Sequence, residues 1–400
     1  METLRIVMTS TFYPPYHIGG DAVHVKLLAK ELVNRGHEVH VMHSLDAFYM
    51  KGGQRVHDDQ IEKEDGVFTY PLSSNLGRFA PYGTYLTGRN RQAERELERL
   101  RHEVQPDWVH HHNISLLGGE LIKNESGVSI YTAHDYWLIC PRSDLMYLGR
   151  STCQQRRCNY CSLATKRPPQ FWRETGFIGN LKNLDLVISP SRFMASSLNR
   201  FLGISSTVLP NFQRVPSSLP TVCSDESYFV YAGVLGKYKG IDLLLKTFER
   251  GNLRSSLRIM GRGSMESEVR QASASSRGKI AYLGFVPEIE RQKQIASAVG
   301  MVAPSIWNEN GPLTCIEALS MGTPLIVTRN GGLPELVEDP ECGLACEATV
   351  DDLEHALLRI EGNPELQRRL SSNALLKYQK CYTPERYLNS YLTLCKKVMS

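Results

Sequence analysis

Short apolar, β-prone runs alternate with helical patterns nearly from one end of the chain to the other. Leu4–Thr9 reads as a compact strand. After a turn-rich stretch, Ala22–Arg35 carries Val25, Leu28, Ala29 and Leu32 at helical spacing, and Gly36 supplies the stop. Glu38–His43, Trp108–His112, Val128–Thr132 and Leu186–Ser189 read as further strands with helical candidates between them. The pattern thins over 203–227, a stretch rich in Ser, Pro and Thr, which predicts a domain boundary. A second alternation then runs through strands Tyr228–Ala232, Leu257–Met260, Ile280–Leu283, Val299–Ala303 and Leu325–Val327. Alternation of this kind implies parallel pairing with right-handed crossovers. The predicted class is therefore α/β, with two doubly wound parallel-sheet domains. They span 1–205 and 206–380, and a helix at 381–400 is expected to pack back on the first.

Composition changes this picture little. The 400 residues are 42% hydrophobic and 22% charged, an ordinary globular balance that excludes a disordered or collagenous chain. No run is long and apolar enough for a spanning helix, and METLRIVMTS reads as a buried strand rather than a signal peptide. Ten cysteines are too dilute for a disulfide scaffold, so the expectation is a cytoplasmic protein in a reducing compartment. A net charge of +4 argues against a nucleic-acid partner. The densest charge run, Arg89–His102, fits a solvated helix face.

The stretch Pro304–Gly332 carries the most chemistry. A strand ends at Ala303, a polar loop with Glu309, Asn310 and Gly311 follows, and a helix opens near Pro312. Free amides of Leu313 and Thr314 at that opening suit an anion such as a phosphate. Glu309 in the loop and Glu317 in the helix could accept hydrogen bonds from sugar hydroxyls. From spacing alone, a helix-capping Glu309 and a plain surface Glu317 fit equally well.

Those two glutamates, eight positions apart and followed by EALSMGTPLIVTRNGGLPELV, resemble the donor-site motif of the family-four retaining glycosyltransferases, which have the GT-B fold. STFYPPYHIGG with RGHEVHV, PDWVHHHN, YTAHDYW, PSRFMASSLN with VLPN, and YAGVLGKYKGIDLLLKTF resemble further segments of that family in the same order. The resemblance implies two facing Rossmann-like domains with the active site in the cleft between them. It implies that Glu309 contacts the donor sugar and Glu317 the nucleotide ribose, with Asn310, Gly311, Leu313 and Thr314 in the same donor site. Lys239 would contact the diphosphate, Gly19 and Gly20 would let a loop approach the donor, and His134 would lie beside the transferred sugar. The family's usual second phosphate-binding arginine falls where this chain has Val234; Lys237 is a candidate substitute. Asp135 could orient His134 or cap a loop.

The activity implied is metal-independent hexosyl transfer with retention, from a UDP- or GDP-linked sugar to a saccharide or lipid-linked acceptor. The setting is cell-surface polysaccharide, lipopolysaccharide or glycolipid synthesis, peripheral to the inner face of the plasma membrane. A sugar-nucleotide epimerase and a non-catalytic sugar-nucleotide-binding subunit are the alternatives.

Two clusters stand apart. Cys140, Cys153, Cys158 and Cys161 end in a C-x-x-C and fit a structural zinc, free or reversibly paired thiols, or an iron–sulfur cluster. Arg142, Arg150, Arg156, Arg157, Lys166, Arg167 and Arg173 are interleaved with Tyr147, Tyr160, Phe171 and Trp172 in an insert at 140–173. They suggest a surface for an anionic membrane face, or else a solvated basic loop. Within His110–His112 only the outer two share a strand face, and no carboxylate accompanies them, which speaks against a metal.

Overall fold

The computed structural model describes residues 3–54, 62–123, 127–215 and 226–399. Part of the expected boundary, 216–225, lies outside the described residues. The chain divides into two compact units, Met1–Leu209 with Leu388–Ser400, and Pro210–Tyr387.

Among the described residues the first unit is built on an eight-stranded sheet. Its strands are β1 (Arg5–Thr9), β2 (Glu38–Ser44), β3 (Glu62–Glu64), β4 (Val67–Leu72), β5 (Trp108–His111) and β6 (Val128–Thr132), with β9 (Leu186–Ser189) and β10 (Thr207–Val208). A separate hairpin, β7 (Met146–Tyr147) with β8 (Ser151–Thr152), belongs to the insert. The sheet order is β10-β9-β6-β5-β1-β2-β4-β3, parallel throughout except β3 against β4. Its central strands are buried on both faces, which is why β1, β5 and β9 read as unbroken apolar or β-prone runs. The helix Gly20–Asn34 buries Ala22, His24, Val25, Leu28, Ala29 and Leu32. The end of the C-terminal helix Pro384–Met399 is tied to this sheet by Tyr391, whose hydroxyl accepts from Trp108 Nε1 at 3.0 Å.

Among the described residues the second unit holds six parallel strands: β11 (Tyr228–Ala232), β12 (Ser256–Met260), β13 (Ile280–Gly284), β14 (Gly300–Ala303), β15 (Leu325–Thr328) and β16 (Gly343–Cys346). Their order is β13-β12-β11-β14-β15-β16. Phe229, Leu257, Ile259, Val302 and Ile326 share one core with the helix Ile241–Glu249, and Val230, Met301, Leu325 and Val327 share another with the helix Leu313–Ser320. Strand order reverses between β11 and β14 here, and between β1 and β5 in the first unit. Open α/β sheets leave a crevice at the carboxyl ends of such strands, where ligands bind.

Candidate functional site

The loops after β11 and β14 flank the reversal in the second unit. They touch through backbone: Ile306 N–H donates to Tyr238 O at 3.0 Å, and Ser305 Oγ donates to the same oxygen at 3.2 Å. Gly240 makes this approach feasible. It sits at φ +75°, and a Cβ there would fall 1.8 Å from Pro304 O, so no larger residue fits without moving the backbone. Gly331 does the same on the other side, at φ +65° and against the backbone of Glu309.

Glu309 is the centre of this arrangement. Its Oε1 accepts from Lys239 Nζ at 2.6 Å, Ser305 Oγ at 2.9 Å and the Trp307 indole N–H at 2.5 Å. All three donors converge on one oxygen, and among the described residues none reaches Oε2. The carboxylate is only 7% exposed, so its rotamer is set by these bonds rather than by solvent. The Lys239 ammonium lies 5.3 Å from the Trp307 ring centroid and 5.6 Å from that of Tyr238. Burial pulls its pKa down, but the charge of Glu309 and the bond to it outweigh burial and hold it raised. With one N–H spent on Glu309, Lys239 keeps further donors for an anion.

Pro312 precedes the helix Leu313–Ser320, and the first amide to find a carbonyl is Cys315, which reaches Pro312 O at 3.1 Å. The amides of Leu313 and Thr314 lie ahead of that ladder. Just before them, Gly311 O accepts from Asn211 Nδ2 at 3.0 Å, which holds the loop in place. Glu317, one turn into the helix, is 1% exposed and takes a bidentate bond from Arg291: Nε to Oε2 at 3.0 Å and Nη2 to Oε1 at 2.8 Å. A plain surface glutamate is therefore the wrong description of it. Val234, at the usual arginine position, is 43% exposed.

Lys239, Glu309, Gly311, Leu313, Thr314 and Glu317 thus share one unit, on two adjacent loops and the helix that follows the second. Gly19, Gly20 and His134 belong to the first unit. Gly19 has φ +95° and precedes the helix that begins at Gly20. His134 follows β6, and its Nε2 pairs with His112 Nδ1 at 2.9 Å. Asp135 caps a helical turn by accepting from Trp137 N–H at 2.8 Å, and burial raises its pKa to about 7. Sequence reasoning missed Ser305, Trp307 and Arg291. Trp307 could have been found two positions from Glu309, but nothing in the pattern links Arg291 to Glu317.

The insert bears on two expectations. The four cysteines line one cavity of about 20 Å³, yet among the described residues no group of three or more His, Cys, Asp or Glu side chains is arranged to hold a metal ion, so zinc there is not supported. The sulfurs instead engage local groups: Cys153 Sγ donates to Gln155 O at 3.2 Å, and Cys161 Sγ accepts from Leu148 N–H at 3.3 Å. Burial raises Cys140 to about 11, which keeps it a thiol at neutral pH. Arg173 is not a surface cation either. It is 3% exposed, and its guanidinium lies 4.7, 5.2 and 5.1 Å from the rings of Trp137, Trp172 and Phe177. Arg142 is held by Asp144 at 2.7 Å.

Residues 18–212 match glycosyltransferase family 4, and residues 221–377 match the glycosyl transferases group 1 family. A 42.6 kDa protein in the cps region of Klebsiella pneumoniae is 23% identical over 83% of this chain and 87% of its own. The O-antigen chain mannosyltransferase C of Escherichia coli is 27% identical over 46% of this chain and 49% of its own. In structure, Anabaena HepE, solved with UDP, superposes with a TM-score of 0.71 at 14% identity, covering 98% of this chain and all of that one, a likeness of fold. With its two Rossmann-like parallel-sheet units and matches that together span most of its length, the chain belongs to the family-four glycosyltransferases and has the GT-B fold.

Proposed function

We propose that the protein transfers a hexosyl unit, with retention and without a catalytic metal, from a nucleoside-diphosphate sugar to a saccharide or lipid-linked acceptor of cell-surface polysaccharide, lipopolysaccharide or glycolipid. The convergence of Lys239, Ser305 and Trp307 on Oε1 of Glu309 carries this reading, because it leaves Oε2 to accept hydroxyl donors of the sugar. Lys239 and the amides of Leu313 and Thr314 receive the diphosphate, with Asn310 and Gly311 shaping the loop, and Glu317, oriented by Arg291, receives the ribose hydroxyls. From the first unit, His134 contacts the transferred sugar, and Gly19 and Gly20 give the donor room. The anomeric C–O bond breaks with its electron pair passing to the diphosphate oxygen. The acceptor hydroxyl attacks the same face and gives its proton to that oxygen. Positioning and stabilisation of the departing charge do most of the work. The relatives named for a cps region and for O-antigen synthesis support a surface-polysaccharide setting.

A panel of UDP- and GDP-sugars with oligosaccharide and lipid-diphosphate acceptors tests this. Acceptor-dependent release of nucleoside diphosphate, with NMR showing the donor's anomeric configuration kept in the product, is expected. Inversion, or epimerised sugar nucleotide without transfer, contradicts it.

Among the described residues no helix is long and apolar enough to cross a membrane. Exposed Tyr160, Leu163 and Phe171 beside exposed Arg157, Lys166 and Arg167 support peripheral contact with an anionic inner membrane face. In the same preparation, co-sedimentation with anionic but not neutral vesicles is expected, and equal binding to both rejects that contact.

A further inference from the structure

The first unit contains a column of imidazoles of which the proposed chemistry uses His134 alone. β5 and β6 are parallel neighbours, with His110 opposite Ile130 and His111 opposite Tyr131. Side chains alternate along each strand, so Trp108, His110 and His112 share a face with Ile130, Thr132 and His134. Two rungs form across that face, each reaching two residues further along β6. His110 Nε2 pairs with Thr132 Oγ1 at 2.8 Å, and His112 Nδ1 with His134 Nε2 at 2.9 Å. His110 also meets the Tyr391 hydroxyl through Nδ1 at 2.8 Å, and its ring centroid is 3.9 Å from that of His112. His24, from the helix Gly20–Asn34, packs edge-on against His134 at 5.0 Å. His24, His110 and His112 have no exposed surface, whereas His134 keeps a partly exposed one.

The column is neutral. Burial lowers all four imidazoles, and the neighbouring rings lower His24, His110 and His112 further. Each ring therefore carries one proton, and the bond between His112 and His134 takes it from one of them. Among the described residues the other nitrogen of His112, Nε2, is buried with no hydrogen-bond partner. If His134 were the donor, His112 would carry its proton on that Nε2, leaving a buried N–H with no acceptor. If His112 is the donor, only a lone pair goes unpaired. Orphaned buried N–H groups are the rarer of the two defects.

We propose that His112 is a positioning residue for His134. Its Nδ1–H donates to His134 Nε2, which fixes that ring's orientation and confines its proton to Nδ1. His134 then presents one defined donor and stays uncharged across the neutral range. A donor of this kind can hold a sugar oxygen without bringing a cation beside an oxocarbenium-like centre. The kinetic consequence rests on the contact proposed above between His134 and the transferred sugar; the tautomer assignment does not.

Long-range proton–nitrogen correlation spectra of the full protein labelled with 15N-histidine test the assignment, with His112→Phe and His112→Asn as variants. Phenylalanine keeps a ring but no donor, whereas the asparagine amide nitrogen can stand near Nδ1. The wild type and His112→Asn are expected to show His134 protonated at Nδ1, and His112→Phe to show the Nε2–H form or a mixture. Turnover should fall about tenfold or more in His112→Phe and largely recover in His112→Asn, as is typical when a group that orients an imidazole is lost. The KM for the sugar nucleotide should hold steady in both. A wild-type spectrum with His134 protonated at Nε2 overturns the proposal, and so does an unchanged His134 tautomer in His112→Phe. A shifted tautomer with unchanged transfer upholds the positioning and instead removes the contact between His134 and the sugar. Should His112→Phe not fold, the wild-type spectrum alone decides.

Discussion

Replacing Glu309 with alanine should lower sugar transfer about a thousandfold while the protein stays folded. Losing a single preorganised polar contact to a reacting group costs on the order of 100- to 1000-fold. Here the loss is compounded because Lys239, Ser305 and Trp307 all aim at the missing carboxylate. The fold should survive because the loop is held by backbone that the substitution leaves alone. Gly332 N–H donates to Glu309 O at 2.6 Å, and Thr328 Oγ1 and Asn330 Nδ2 donate to Ser305 O at 2.5 and 2.8 Å. The variant leaves Lys239 without its partner in a largely buried position, so a loss of about 1–3 kcal/mol of stability is expected. Glu309→Gln keeps an acceptor oxygen for those donors and should lose activity with a smaller drop in melting temperature. Steady-state transfer and thermal melts of the three proteins check this. Turnover near that of the parent in Glu309→Ala would remove the carboxylate from the reaction.

The second large effect is acid sensitivity of the first unit. His24, His43, His110, His111 and His112 are buried there, and burial depresses each below the ordinary value of 6.5. His43 falls to about 4 and His111 to about 3. With folded pKa values below unfolded ones, the unfolded chain binds more protons in this range. Stability is therefore full above about pH 6.5 and is lost as the pH falls toward the depressed values, at about 1.4 kcal/mol per histidine per pH unit. Asp21 and Asp135 act in the opposite sense. Burial raises both, Asp135 to about 7, so they recover some stability as they protonate. Three to five protons remain net, or about 4 to 7 kcal/mol per pH unit. Against a typical domain stability of about 5–15 kcal/mol, that places acid unfolding between about pH 6 and 3. Tryptophan fluorescence from Trp108 and Trp137, followed across an acid titration, reads this unit. Denaturation midpoints that stay constant between about pH 6.5 and 4.5 would show that the imidazoles titrate normally.

The order of strands and helices was legible because central parallel strands are apolar on both faces; YFVYA at β11 and LIVT at β15 are the examples here. β3 and β4 were not read. VFTYPL mixes buried and half-buried positions, and its partner EKE is a short charged antiparallel edge with no apolar signature. At the site, the loop-to-helix transition and the glutamate spacing pointed to Glu309, Leu313, Thr314 and Glu317. The bond between Arg291 and Glu317 could not be read, since it joins residues on two different helices. In the insert, burial changed the reading of Arg173. Arg173 reads from type and spacing as part of a basic surface, whereas its guanidinium is enclosed by aromatic rings; for the cysteines, spacing left zinc and free thiols both open, and among the described residues no metal-holding group supports zinc.

A crystal structure of the protein with a bound nucleoside diphosphate, UDP and GDP each being tried, tests the central claim most directly. Diphosphate oxygens are expected within hydrogen-bond reach of the Leu313 and Thr314 amides and of Lys239, with the ribose hydroxyls on Glu317. A nucleotide seated elsewhere, with Glu317 still closed onto Arg291 and no ligand against Glu309 Oε2, would contradict it.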